Sequence, residues 1–356
     1  MISRSLSCLG ISFFLTACSG PGYYQQAIAG QWHLMHARQD VQSLLDHPDT
    51  RPELVDQLQT AGQIMAFATV ELGLEAGDSY TSYVELERDA LVWNVVATGE
   101  FSLQTKNWCF LVAGCVPYRG FFKQSKAEKS AMNLRNKGMD VMVAPAAAYS
   151  TLGWFSDPLL STMFSGSDTR LAAYLFHELA HQRLYLKNDG QFNEGYASFV
   201  EEIGLKAWLV SSQKQDELSS WQQGQIARRD FSMLVTDLRD TLDDLYQSNQ
   251  PDITKRQLKA DAFDAFSREY EELSQNTWHG KRYYGGWFEE PLNNARLALF
   301  NTYEGSQCAF QSLLDQAGGD LREFHRLAKH QSKAASEERQ QWLNQPCSGP
   351  LYEGDF

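Results

Sequence analysis

Leu175-Phe176-His177-Glu178-Leu179-Ala180-His181-Gln182, followed after a short interval by Asn193-Glu194-Gly195-Tyr196-Ala197, decides how this 356-residue chain is read. Apolar residues recur at helical spacing through the first string, at Leu171, Leu175, Phe176 and Leu179. Ser167-Asp168 supplies an N-cap before it, and Asn188-Asp189-Gly190 stops it. Residues four apart share a helix face, so the imidazoles of His177 and His181 can reach one metal ion. Glu178 lies a third of a turn round, where it can meet a water on that ion rather than the ion itself. Catalytic zinc usually takes three protein ligands and leaves the fourth position to water. The next helix, from near Asn193 past Trp208, offers Glu194 as the third ligand.

Working outward, Tyr23–Leu45 reads as one helix with Ile28, Trp32, Met35, Val41, Leu44 and Leu45 as its apolar residues. His47-Pro48-Asp49 ends it, and Arg51–Leu74 reads as a second helix, so residues 18–78 are expected to form a helical hairpin. Residues 79–160 are β-rich: short runs of β-branched and aromatic residues lie between Tyr80 and Phe122, and Val141–Tyr149 makes another strand. A helix over Ser125–Lys137 interrupts them. Residues 161–356 form a helical, zinc-binding part, with helix from Glu217 to Leu273, a glycine-flanked aromatic loop at 278–286, and more helix to about Leu343. The expected fold class is α+β, predominantly helical, with a small mixed β-sheet, in a single domain over residues 18–356.

The composition bounds the possibilities. Hydrophobic residues make up 43% of the chain, with 20 Phe, 15 Tyr and 9 Trp, which is material for a substantial core. The net charge is −13 and the cations are scattered, so the chain repels phosphate backbones and nucleic acid is not an expected partner. Residues 1–17 have the layout of a secretory signal: Arg4, an apolar stretch from Leu6, then Leu15-Thr16-Ala17-Cys18. The apolar stretch is about half of the roughly 20 residues needed to span a bilayer. The Leu-Thr-Ala-Cys ending is similar to a bacterial lipobox, which implies cleavage before Cys18, a lipid anchor on that residue, and a chain held on the periplasmic side of the envelope. Ser19 then implies the outer membrane. Cys109, Cys115, Cys308 and Cys347 form an even set in an exported protein and are expected as disulfides. Three pairings are open. The short gap favours Cys109 with Cys115, leaving Cys308 with Cys347.

The two opening strings resemble the gluzincin peptidases, above all the M1 aminopeptidases, whose H-E-L-A-H-Q helix is followed by a helix bearing N-E-G-F-A. The resemblance implies a gluzincin-like fold, one Zn²⁺, a peptide or protein substrate, and Glu194 as third ligand. It also implies that Glu201, two turns along the same face, stands behind the metal and orients a ligand histidine, with Asn193 beside the ligand. Two departures stand out. Twelve residues separate His181 from Glu194, fewer than in M1 enzymes. The G-x-M-E-N box that grips a substrate amine in M1 is missing, with Gly138-Met139-Asp140 only an echo of it. Together with the signal, Trp108-Cys109 to Gly120 and Pro291-Leu292-Asn293-Asn294-Ala295-Arg296 are similar to bacterial lipoproteins described as predicted aminopeptidases.

The expectation is therefore zinc-dependent hydrolysis of peptide bonds with Glu178 as general base, aminopeptidase by resemblance. The alternatives are a zinc endopeptidase and a non-catalytic zinc-containing envelope lipoprotein that binds a partner. Glu178 weighs against the last, because a structural site has no use for an unligated carboxylate beside an open position. An oxyanion donor is sought in the aromatic loop, at Tyr283 or Tyr284, with His279 as a further candidate. A substrate strand could pair near Tyr149 and Gly153. Arg296 could hold a substrate carboxylate, and Glu289 or Glu290 an amine. His33 and His36 have no third ligand in view and read as surface residues.

Overall fold

Two helices, each with a fully buried apolar stripe, cross at the centre of the molecule, and the remaining elements are arranged around that crossing. The computed structural model describes residues 21–110, 114–146, 156–304 and 306–346. The chain begins with α1 (Pro21–His36), β1 (Gln39–Asp40), α2 (Val41–Asp46) and α3 (Pro52–Val70). Then come β2 (Ser82–Val84), β3 (Val92–Thr98), β4 (Trp108–Phe110), β5 (Gly114–Val116), β6 (Arg119–Phe121), α4 (Gln124–Arg135), β7 (Asp140–Ala146) and β8 (Leu159–Leu160). The rest is helical: α5 (Asp168–Arg183), α6 (Gly190–Ser211), α7 (Gln215–Gln247), α8 (Asp252–Glu272), α9 (Asn294–Glu304), α10 (Gln307–Gln316), α11 (Leu321–Gln331) and α12 (Ser336–Leu343). The fold class is thus α+β and mainly helical. Among the described residues, no helix is long and apolar enough to cross a membrane.

The expected single mixed sheet is replaced by three small ones. β2 pairs antiparallel with β1 and parallel with β8. β3 lies between β6 and β7, antiparallel to both, with Val92 opposite Ala146 and Thr98 opposite Asp140. β4 and β5 form a hairpin in which Cys109 faces Cys115 and the two are disulfide-bonded. Cys347 lies outside the described residues, as do Cys18, Tyr149 and Gly153.

The helix expected over Tyr23–Leu45 is two helices. Asp40 caps α2: its carboxylate accepts from the backbone N–H of Ser43 at 2.7 Å and from the Ser43 hydroxyl at 2.8 Å. A short acidic side chain that bonds the backbone ahead of it holds its own residue extended, and β1 pairs with β2 at that point. α1 packs through Tyr23, whose ring lies on Phe110 and Phe121, and through Gln26, which bonds the backbone at Gly120 and Phe122.

The largest core gathers Leu58, Ile64, Leu72, Leu175, Phe176, Phe192, Tyr196, Phe199, Phe310 and Phe324, all under 2% exposed. Burial of an aromatic or leucine side chain contributes about 1.5–3 kcal/mol, so this cluster stabilises the α5/α6 crossing more than any surface contact does. At the crossing a Cβ on Gly204 would lie 2.6 Å from Leu72 and 3.0 Å from the Phe176 ring. A second core belongs to α7 and α8, around Phe231, Phe263, Phe266 and Tyr270. A third lies between β3, β7 and α4.

One buried polar chain ties α6 to both ends of the protein. Tyr196 and His325 Nδ1 are 2.7 Å apart, and His325 Nε2 meets the Leu72 carbonyl at 2.8 Å. A neutral ring satisfies both contacts, with Nε2–H donating and Nδ1 accepting the tyrosine O–H. Burial, with the Arg183 charge, lowers the His325 pKa to about 4, against the pull of the Leu72 carbonyl. The unfolded chain takes up this proton near pH 6.5, while the native chain does not until about pH 4. Stability from this group is therefore complete above pH 6.5 and falls as pH drops towards 4, by on the order of 3 kcal/mol. Urea unfolding at pH 7.5 and 5 is expected to show a larger loss of stability for the wild type than for His325→Gln. Equal losses in the two chains would remove His325 from the account.

Candidate metal centre

The local sequence places each ligand. Ser167 accepts from the N–H of Arg170 at 3.3 Å and starts α5, with Asp168 in its first turn. Leu171, Leu175, Phe176 and Leu179 bury one side of that helix. His177, Glu178 and His181 are turned to the boundary of the core. α6 begins earlier than the expected Asn193, because Asp189 caps it by accepting from the N–H of Phe192 at 3.0 Å. Asn193 then clamps the connection. Its Oδ1 accepts from the N–H of Leu186 at 2.7 Å and its Nδ2 donates to the Leu186 carbonyl at 2.8 Å. The residue expected beside the ligand therefore acts on the interhelical loop. That clamp sets Glu194, the next residue, towards α5.

Three donor atoms converge. Nε2 of His177 and Nε2 of His181 are 3.1 Å apart, and Oε2 of Glu194 lies 3.5 Å from the first and 3.7 Å from the second. An ion with four ligands at about 2.1 Å has ligand atoms about 3.4 Å apart, so the three donors already have the spacing a metal needs. His177, His181 and Glu194 form the group able to hold a metal ion among the described residues. His177 Nδ1 lies 3.0 Å from Oε2 of Glu201. With the proton on Nδ1, that carboxylate fixes the tautomer that leaves the Nε2 lone pair for the metal. Among the described residues Nδ1 of His181 is buried without a hydrogen-bond partner, and the Tyr185 ring packs edge-on to this imidazole at 6.4 Å.

The electrostatics fit a cation. Burial works against a charge on His177, yet Glu194, Glu201 and Glu178 push its pKa up to about 10. Burial likewise works against ionised Glu194, and its bonds to the two histidines hold it down at about 2. The acids around the two imidazoles thus favour positive charge at this point, which a dication would supply. Glu178 behaves differently. Burial raises its pKa, with the Glu194 charge in the same sense, while the histidines and a hydrogen bond from Tyr174 pull it down. A carboxylate whose pKa lies above its ordinary range is a better proton acceptor for work near neutral pH.

Four tyrosines surround the two acids, and none of them carries a site motif in the sequence. Tyr174 bonds Glu178, and Tyr80 is held in a left-handed backbone conformation (φ 65°) with its hydroxyl under the Glu178 charge. Burial and the Glu194 charge push Tyr118 up to about 12 and also raise Tyr185. Helix spacing could have found Tyr174, which precedes Glu178 by one turn, whereas Tyr185 lies just past the end of α5. Tyr80 and Tyr118 come from distant segments with no local signal.

The other expected residues have other duties. Tyr284 stacks on Phe231 at 4.0 Å and Tyr283 stands edge-on to Trp278 at 5.7 Å, both in the second core. Their rings pack there against the aromatic side chains of α7 and of the loop itself. Arg296 donates to the Gly286 carbonyl at 3.0 Å and ties α9 to that loop. Glu289 and Glu290 line a cavity beside Arg256 and Lys259. His36 Nδ1 lies 2.9 Å from the Trp32 carbonyl, at the surface.

A protein-family model described as Putative aminopeptidase matches residues 22–343. No curated protein and no solved structure matches the chain. Glu201→Ala is expected to weaken metal binding about 10- to 100-fold, the usual cost of losing a carboxylate behind a ligand histidine. Titration with Zn²⁺ against a chelating dye measures this, and an unchanged affinity would leave Glu201 without that role.

Proposed function

The chain belongs to the family described as Putative aminopeptidase, and from that premise we propose that it is a zinc-dependent aminopeptidase. The observation that carries the reading is the convergence of His177, His181 and Glu194 on one point, with Glu178 beside them and bonded to none of the three. Two imidazoles and one carboxylate are a donor set suited to zinc, and they leave room for a further ligand. A zinc ion held there would supply a Lewis acid that polarises the scissile carbonyl and acidifies the attacking water. Glu178 accepts the proton of that water and delivers it to the leaving amine, and its raised pKa suits both halves of the transfer. Tyr174 donates to Glu178 and fixes the orientation of the carboxylate. Glu201 holds His177 in its ligating tautomer. The family description favours a free amino terminus in the substrate over an internal bond.

The test compares the wild type with Glu178→Gln, measuring bound zinc and cleavage of free-amine and N-blocked peptides. The variant is expected to keep its zinc while losing about 10²- to 10⁴-fold in rate, the usual contribution of a positioned general base. Blocked peptides should resist the wild type. Cleavage of blocked peptides at the same rate would turn the reading towards an endopeptidase. A wild type that binds zinc and cuts neither set would favour a partner-binding role.

The Leu15-Thr16-Ala17-Cys18 string supports a second part of the proposal, that the mature chain is anchored by lipid on Cys18 at the periplasmic side of a bacterial outer membrane. Cys18→Ala is expected to move the protein from the membrane pellet to the soluble fraction of cells. An unchanged distribution, or an N-terminal peptide of unmodified mass in the wild type, would reject the anchor.

A further inference from the structure

A cavity of about 320 Å³ opens where the C-terminal end of α5 meets α11. Its lining includes Arg183, Arg322, Arg326 and Lys329, with Tyr196 and His325 beside them, and contains no acidic residue. The chain as a whole carries 44 acidic residues against 31 basic ones, so four cations around one acid-free concavity reverse the local sign of the protein. The arrangement follows from helix geometry. Arg322, Arg326 and Lys329 stand at positions i, i+4 and i+7 of α11 and project from one face. Arg183, two residues past His181, reaches the same cavity from α5 and donates to the Gly73 carbonyl at 2.5 Å, which fixes its guanidinium at the rim.

Counter-charge is scarce there. Arg326 is neutralised by a two-point ion pair with Glu323 on its own helix. Among the described residues, Arg183, Arg322 and Lys329 form no ion pair with a carboxylate. Cations held close together in a concave surface repel one another, and a multiply charged anion relieves that repulsion while accepting several N–H donors at once. Guanidinium forks match the oxygens of a phosphate group, and a lysine adds a point charge.

We propose that this cavity binds a phosphate-bearing ligand, with Arg183, Arg322 and Lys329 as its principal contacts. The site lies apart from the metal ligands but shares their helices: Arg183 continues the helix of His181, and Tyr196 follows Glu194 by two residues. The phosphate can come from a small soluble anion or from an anionic lipid headgroup, and the chemistry on the protein side is the same.

The test uses the full zinc-loaded chain in a neutral detergent at constant ionic strength. Calorimetric titrations are made with inorganic phosphate, with dihexanoyl-phosphatidylglycerol below its micelle concentration, and with dihexanoyl-phosphatidylcholine as the zwitterionic control. Saturable binding of inorganic phosphate, weakened tenfold or more in Arg322→Gln/Lys329→Gln, supports a site for soluble phosphates. Binding of the phosphatidylglycerol but not of phosphate or the phosphatidylcholine, with the same loss in the double variant, supports a headgroup site. Both replaced side chains are exposed, so the double variant is expected to keep its zinc and its unfolding midpoint. Arg322→Lys, which keeps the charge without the fork, should fall between the two chains. Absence of saturable binding to the anionic probes, or equal binding by wild type and double variant, overturns the proposal.

Discussion

The crossing of α5 and α6 is the constraint from which the rest of the molecule follows. His177 and His181 are placed by one helix and Glu194 by the other, so the donor spacing is only as accurate as the angle and register between them. Apolar burial supplies the force but cannot supply that accuracy, because it is proportional to area and indifferent to direction. The accuracy comes from contacts with little tolerance: the amide of Asn193 closed on both backbone groups of Leu186, Asp189 on the first turn of α6, and Gly204 against Leu72 and Phe176. A side chain at Gly204 would force the helices apart, and overpacking of that kind costs about 1–3 kcal/mol in stability alone.

The same crossing explains why the charges in the site are arranged as they are. Three carboxylates face two imidazoles in a partly buried place, an arrangement that would be costly without a cation among them. Glu194 and Glu201 are both committed to histidine, one at the metal-facing nitrogen and one at the far nitrogen of His177. Glu178 is left over, and its environment treats it as a different kind of acid. Its charge is opposed by burial rather than balanced by a full ion pair, so of the three carboxylates it is the one whose pKa is raised.

What was legible in the sequence was what depends on short separations along the chain. His177, Glu178 and His181 share a turn of one helix, and the string from Asn193 to Ala197 announced the acid that joins them. The Cys109–Cys115 bridge was legible for the same reason, since its two residues lie opposite each other in a tight hairpin. A misreading arose where a polar side chain overrode the local pattern. Asp40 breaks a run that is apolar at helical spacing on both sides of it, because one carboxylate satisfies two donors of Ser43. Tyr283 and Tyr284 occupy the glycine-flanked aromatic loop, and Tyr284 packs on Phe231 of α7, a contact that no local pattern in the sequence specifies. Tyr80 and Tyr118 reach the acids from segments about 100 and 60 residues before Glu178, and only the fold brings them there.

The helices after α6 are part of the site in this sense, although none of them carries a ligand. Arg339 on α12 is buried, and its guanidinium grips Oδ2 of Asp189 while Oδ1 of the same carboxylate caps α6. Tyr196 is held through His325 on α11 and stacks on Phe324 of the same helix. Gly195, between the ligand and Tyr196, has no room for a Cβ because Ser306 lies 2.6 Å from where it would be. Gly195, Tyr196 and the cap of α6 are therefore fixed from the C-terminal third of the chain. The family match runs to residue 343, where α12 ends. A candidate metal centre whose second helix starts on a buried Arg339–Asp189 pair depends on those C-terminal helices too, because removing one partner of such a pair leaves an uncompensated charge at the start of the helix that carries Glu194.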